Sequence, residues 1–199
     1  MDAKTLVIRQ LARFPQQGVE DELNFDVGVN VLAGPPNTGK TKWLKMLDYL
    51  MGDSGTPENA FGEDMADKYE SIRALFRIGE DEITVERRWH ERGAKGKIFV
   101  DGEPYSTGDF SHYLLERLGI PILHFPQGNP YSERAWPELS WRTLLRHIYR
   151  QQGFWSDIAN KQPKGDQHAC LMMFLGLAEH IFSPEHGDLV ESGETKAGS

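Results

Sequence analysis

The sequence predicts an α/β fold in which a mixed sheet carries a separate antiparallel section. Three observations predict it. A short, wholly apolar run, Val29–Ala33 (VNVLA), enters a glycine-containing loop and then a helical pattern, the order expected of a buried strand feeding a loop and a helix. Residues from about 71 to 100 alternate between polar and apolar with turn signals between runs, as antiparallel strands do. The second half then carries helical periodicity near 110–118, 139–149 and 166–181.

Taken in order, Thr5–Phe14 (TLVIRQLARF) is rich in β-formers and predicts a strand. Pro15–Glu22 is polar and turn-like, and Leu23–Phe25 with Val29–Ala33 supplies further strand material. Lys42–Leu50 predicts a helix with Leu44, Leu47 and Met51 on one side and Gly52 at its C-cap. The acidic stretch Asp53–Glu70 reads as an exposed excursion. Three strands follow at Ser71–Ile78, Glu82–Trp89 and Lys97–Val100, with turns at Ile78–Asp81, Gly93–Gly96 and Asp101–Gly102. Phe110–Leu118 is a helix closed by Gly119, and Ile120–Phe125 is a strand candidate. Pro126–Glu138 reads as loop and Leu139–Tyr149 as a helix. Asp166–Ile181 is the last helix, with Leu171, Phe174, Leu175 and Ala178 on its apolar side. Residues 183–199 are polar and read as a tail or linker behind a lobe spanning 1–182.

Composition narrows the function. Twenty-two Lys and Arg against thirty Asp and Glu give a net charge of −8 over 199 residues, which argues against bulk nucleic-acid binding but leaves local patches open. The one cysteine, Cys170, excludes an internal disulfide framework and a multi-cysteine metal site; its place in an apolar helical pattern reads as a buried structural thiol. The seven histidines form no recognised ligand spacing. No apolar run approaches membrane-spanning length and the polar start does not read as a signal peptide, so the expectation is a cytoplasmic protein with no membrane partner.

The chemistry concentrates in GPPNTGKT, Gly34–Thr41, which matches G-x-x-x-x-G-K-[ST] between a strand-like run and a helix. That context predicts a phosphate-binding loop of a P-loop NTPase. Gly34 and Gly39 allow the tight turn, Pro35, Pro36, Asn37 and Thr38 form its body, and Lys42 follows it. The new helix presents free amides and its positive end. Lys40 suits the charge between β and γ phosphates, and Thr41 suits magnesium. The implied cofactors are ATP and Mg2+. No N-K-x-D base-reading motif is present, and no apolar strand ending in an acidic pair follows in the second half. The chain thus carries a phosphate cradle without an evident complete catalytic set.

The combination resembles the N-terminal half of an ATPase head of the SMC and RecN family, ABC-type ATPases acting in DNA repair, chromosome organisation and defence. The likeness rests on LVIRQLARF followed by FDVGVNVLAGPPNTGKTKWLKMLDYLMG, on the antiparallel section, and on LLRHIYRQQG (Leu144–Gly153), which is similar to the family's Q-loop region. The resemblance implies that Gln152, with Gln151 as the adjacent alternative, approaches magnesium and the γ phosphate, acting with Lys40 in catalysis and with Thr41 at the metal. It also implies an ATP-dependent head dimer and a C-terminal half supplied in cis or in trans, because no signature-like motif or heptad array is found here. Two departures stand out: Pro36 and Asn37 replace the family's internal Asn-Gly, and the motifs of the C-terminal half are missing. Asn at position 37 suits the left-handed backbone such a turn requires.

Two basic groups are DNA candidates: Arg87, Arg88, Arg92, Lys95 and Lys97 around a predicted hairpin, and Arg142, Arg146 and Arg150 spaced four apart on a predicted helix. Phosphate contact is the expected mode, and salt bridging to the many carboxylates is the competing one. Two other functions remain open: a different P-loop phosphotransferase, and a nucleotide-binding assembly module that does not hydrolyse.

Overall fold

The computed structural model describes residues 4–125, 136–149 and 162–182. The chain divides into two units, one ending at Gly119 and the other beginning at Ile120.

The first unit is a six-stranded antiparallel sheet with helices. Its strands are β1 (Leu6–Pro15), β2 (Asp21–Asn24), β3 (Tyr69–Ile78), β4 (Asp81–Arg88), β5 (Ile98–Val100) and β6 (Glu103–Tyr105), in the order β2-β1-β3-β4-β5-β6. Register explains why alternation in the sequence produces a core. Leu23, Leu11, Ala74, Val85 and Val100 pair in succession across five strands. Directly paired residues share a sheet face, so this row is one continuous apolar line, with Phe76 and Ile83 beside it. The opposite face carries Ala12, Arg73, Glu86 and Phe99 in the same manner. The β3–β4 turn uses Gly79 at φ 63°, and the β5–β6 turn uses Asp101 and Gly102 at φ 49° and 91°, the double left-handed pattern that tight hairpins need.

Three of the predicted features change here. Every strand pairing in this sheet is antiparallel, so the predicted mixed sheet is corrected among the described residues. The predicted central strand Val29–Ala33 is neither strand nor helix, and Val29 and Val31 are 95% and 81% exposed. Its apolar run suits a strand covered on both faces, but β2 ends the sheet on that side and no described strand runs beside it. The acidic excursion is in fact packed: it forms α2 (Pro57–Phe61) and α3 (Glu63–Lys68), with Phe61 and Ala66 buried.

Helix α1 (Lys40–Leu50) packs against β3 and β4. Its buried face is Trp43, Met46, Tyr49 and Leu50, whereas Leu44 is exposed and Leu47 half-buried. The predicted face of Leu44, Leu47 and Met51 therefore holds at Met51, which is buried, and not at Leu44 and Leu47, because the aromatics Trp43 and Tyr49 meet the sheet. Tyr49, Phe61 and Trp89 form an edge-on aromatic cluster with centroid distances of 5.4, 5.5 and 6.3 Å, joining α1, α2 and the end of β4. Helix α4 (Thr107–Leu118) starts at Ser106, whose hydroxyl accepts from the Asp109 N–H, and is closed by left-handed Gly119.

In the second unit His124 and Glu138 form an isolated antiparallel bridge rather than the predicted strand over 120–125. Helix α5 (Trp141–Ile148) is capped by Ser140 and buries Trp141, Leu144 and Leu145. The predicted last helix is two, α6 (Lys164–Phe174) and α7 (Ala178–Ile181), because the chain turns at Gly176 with φ 69°. The break also changes the expected packing in part: Leu171, Phe174 and Leu175 are exposed, whereas Ala178 and Cys170 are buried as predicted, together with Ala169. Among the described residues no helix is long and apolar enough to cross a membrane.

Candidate functional site

The loop Gly34–Gly39 reaches α1 through two left-handed residues, Asn37 at φ 61° and Gly39 at φ 81°. Asn is among the few side chains that tolerate this region, and Gly adopts it freely. Thr38 Oγ1 donates to the Pro35 carbonyl at 2.9 Å, closing the turn. Lys40 folds back over the same turn: its Nζ donates to the Gly34 carbonyl at 2.8 Å, to the Pro35 carbonyl, and to Thr38 Oγ1 at 3.2 Å. The ammonium thus rests on carbonyl oxygens inside the loop it is expected to serve.

The N-terminus of α1 is electrostatically open. No side chain caps it and no acidic residue occupies its first turn. Unpaired helix-start amides and the positive end of the helix macrodipole favour an anion there. Thr41 is exposed in that first turn, where its hydroxyl is accessible. Of the described residues assigned to the nucleotide, Lys42 alone has its side chain held by partners outside the loop: its Nζ donates to the Phe61 carbonyl and to Asp64 at 3.1 Å. That bond holds the Asp64 carboxyl below the usual carboxylate range.

A cation that the sequence reading passes over adjoins this helix start. The Arg13 guanidinium lies 4.0 Å from the Trp43 ring centroid and 4.6 Å from that of Tyr69. It is paired with Asp21 at 3.0 Å, and the Tyr69 hydroxyl donates to the same carboxylate at 2.7 Å. The Tyr69 hydrogen bond first, and the charge of Arg13 after it, lower the Asp21 pKa. Burial and the bond to Asp21 raise that of Tyr69. The available signal was alternation: Arg13 lies two residues from Leu11 and therefore shares its apolar face.

The two basic groups fare differently. Arg87 is corrected as a DNA candidate, because it is 2% exposed and donates from Nη1 to the carbonyls of Tyr49 and Asp53. Arg88 is paired with Glu86 at 3.0 Å and Glu91 at 3.2 Å and lies over Phe99. Arg92, Lys95 and Lys97 are exposed between β4 and β5. Arg142 is half-buried and Arg146 exposed on α5. Arg150, Gln151 and Gln152 lie outside the described residues, as does the predicted tail, so the Q-loop assignment has no geometry here. Trp89, next to Arg88, is buried and donates from Nε1 to the Ala66 carbonyl at 2.9 Å.

The arrangement can receive an anionic phosphate chain on backbone amides, with the Lys40 ammonium and the exposed Thr41 hydroxyl beside it. Among the described residues no group of three His, Cys, Asp or Glu side chains is placed to hold a metal ion. No family model matches the chain, and no curated protein matches it.

Proposed function

We propose that the chain binds magnesium–ATP at Gly34–Thr41 and forms the nucleotide-binding part of an SMC/RecN-like ATPase head, coupling ATP-dependent dimerisation and hydrolysis to DNA repair, maintenance or defence. The observation that carries the nucleotide reading is the uncapped start of α1, delivered by left-handed Asn37 and Gly39 under a folded-back Lys40. On binding, the loop amides hold the phosphate chain. Lys40 would give up its carbonyl partners to neutralise phosphate charge, and the Thr41 hydroxyl would hold magnesium, which would supply further charge neutralisation. Gln152 is assigned to the γ-phosphate side from the resemblance alone.

The head reading has separate support in Val29–Ala33. An apolar run that reads as a buried strand but stands exposed is what a lobe awaiting a completing half presents. Turnover by this chain alone is accordingly slow. The exposed Arg92, Lys95, Lys97 and Arg146 are candidates to meet DNA phosphates in a salt-dependent manner, and Arg142 and Arg150 join them from the sequence pattern.

Titration calorimetry with ATP and magnesium tests the nucleotide reading. Binding by the full chain and its loss in Lys40→Ala is the expected result. No binding, or equal binding by the variant, overturns it. Rapid phosphoryl transfer from ATP to a small acceptor by the chain alone favours the phosphotransferase alternative instead.

A further inference from the structure

We infer that Lys42 is a positioning residue for the phosphate loop: its ammonium, seated at Gly62 where α2 meets α3, latches the first turn of α1 to the 57–68 segment and so sets the nucleotide affinity of the loop from outside it. The ligand in this inference rests on the nucleotide reading. The latch rests on geometry.

The first turn of α1 has little of its own to hold it. It begins at left-handed Gly39, no side chain caps it, and no acidic residue lies in it. Its first two bonds, from the Lys42 and Trp43 N–H groups, share the Gly39 carbonyl at 2.9 and 3.2 Å. Helix ends of this kind fray unless side chains fix them. Trp43 is buried beneath Arg13, whose guanidinium lies 4.0 Å from its ring centroid. Lys42, about 100° further round the helix, reaches instead to the Phe61 carbonyl and to Asp64 Oδ1 at 3.1 Å.

The receiving end is rigid and shaped for an ammonium. Phe61 is 1% exposed and packs edge-on against Tyr49, so a second contact with α1 holds the residue whose carbonyl accepts from Lys42. Carbonyls at a helix end lack partners within the helix, and a cationic donor makes the stronger kind of bond to them. Gly62, at φ 100°, leaves the space: a Cβ there would lie 2.7 Å from Lys42 Nζ and 2.8 Å from Asp64 Oδ1. An exposed ion pair alone is worth little; the carbonyl and the fitted space distinguish this one. Helix α1 is thus fastened to α2 at both ends, through Tyr49 and through Lys42 beside the loop. Lys40 rests inside the loop and Lys42 outside it, so Lys40 meets phosphate charge while Lys42 holds the turn that presents the amides. Donors held in place before binding give the higher affinity.

Four variants of the full chain test this by hydrogen exchange and by calorimetry with ATP and magnesium. Lys42→Met removes the ammonium. Gly62→Ala fills its seat and meets only Lys42 and Asp64. Gly93→Ala places a Cβ at another left-handed glycine, φ 82°, with nothing within 4 Å, and so controls for backbone strain. Lys42→Arg keeps the charge on a larger, planar head. Lys42→Met and Gly62→Ala are each expected to speed exchange of the amides at positions 42 and 43 about 10-fold and to weaken ATP binding about 5-fold. Combining them is expected to add little, since both break one contact. Lys42→Met is expected to keep the wild-type salt dependence of ATP affinity, because no charge is lost from the phosphates. Lys42→Arg is expected to restore neither exchange nor affinity, and Gly93→Ala to match the wild type in both. Wild-type exchange in Lys42→Met or Gly62→Ala, equal effects of Gly62→Ala and Gly93→Ala, or full ATP affinity in Lys42→Arg overturns the inference. Absence of ATP binding by the wild-type chain ends the nucleotide reading and the affinity claim with it, and exchange at positions 42 and 43 then decides the latch by itself.

Discussion

The Arg87 guanidinium lies over the ring of Tyr49. Its guanidinium carbon is 3.6 Å from the ring centroid, and Nη1 donates to the Tyr49 carbonyl at 2.8 Å and the Asp53 carbonyl at 2.7 Å. A β4 side chain thus closes the C-terminal end of α1, the helix whose other end begins at the phosphate loop. A cation is favourable at that end of a helix dipole, and burial makes its bonds costly to remove.

Arg87→Met is expected to destabilise the protein by about 3 kcal/mol, since the buried Tyr49 carbonyl and the half-buried Asp53 carbonyl lose a charged donor. Urea unfolding measures it. A double Arg92→Ala, Lys95→Ala variant is expected to change stability by less than about 0.5 kcal/mol, because both residues are exposed. If both variants had the same stability, the buried clamp would not exist.

Gly39→Ala is expected to cost about 1–2 kcal/mol from the left-handed backbone alone, because no atom lies within 4 Å of the added Cβ. Asn37→Gly is expected to leave stability within a few tenths of a kcal/mol, whereas Asn37→Val is expected to cost about as much as Gly39→Ala. Thermal melts of the three variants check the ordering.

Asp21 supplies an acid-sensitive contact. The Tyr69 hydroxyl, then Arg13, lowers its folded pKa below the ordinary carboxylate value. Its contribution is therefore complete above about pH 4 and lost as pH falls through the folded pKa. Tyr69 titrates in the opposite sense: its raised pKa contributes stability below about pH 10 that is lost as pH rises above that value. Asp21→Asn is expected to flatten the acid limb of the stability–pH curve measured by denaturant unfolding. The effect is small, because the carboxylate is about half exposed.

Burial pushes the Cys170 thiol up to about 12, and its Sγ lies 3.6 Å from the Thr143 carbonyl. Alkylation by iodoacetamide at pH 8 is expected to be slow in the native protein and fast in urea. Rapid labelling of the native chain would contradict the buried placement.

Much of the first unit was legible because its signals are local. The hairpin turns at Gly79 and Asp101–Gly102 and the Gly119 cap require left-handed backbone that few residues supply, so composition announces them. GPPNTGKT is legible for the same reason, down to the left-handed Asn37. The packing of 53–70 was not, because Phe61 is buried by its contacts with Tyr49 and Trp89, partners far away in sequence. The basic hairpin misled in the same way: Arg87 and Arg88 are adjacent in sequence but emerge on opposite sheet faces, one into the core.

By itself the sequence determined the alternation that makes the antiparallel strands, the turn chemistry between them, and the loop-to-helix order around Lys40 and Thr41. Tertiary structure alone decided which apolar runs are covered. VNVLA has the composition of a central strand, yet it stands exposed, because a strand exists only when another backbone lies alongside to pair with it. Likewise the face of α1 that meets the sheet was chosen by Trp43 and Tyr49 against β3, Phe61 and Trp89, which leaves Leu44 and Leu47 at an open groove. Periodicity records that a residue can be buried; only the position of a partner surface determines whether it is.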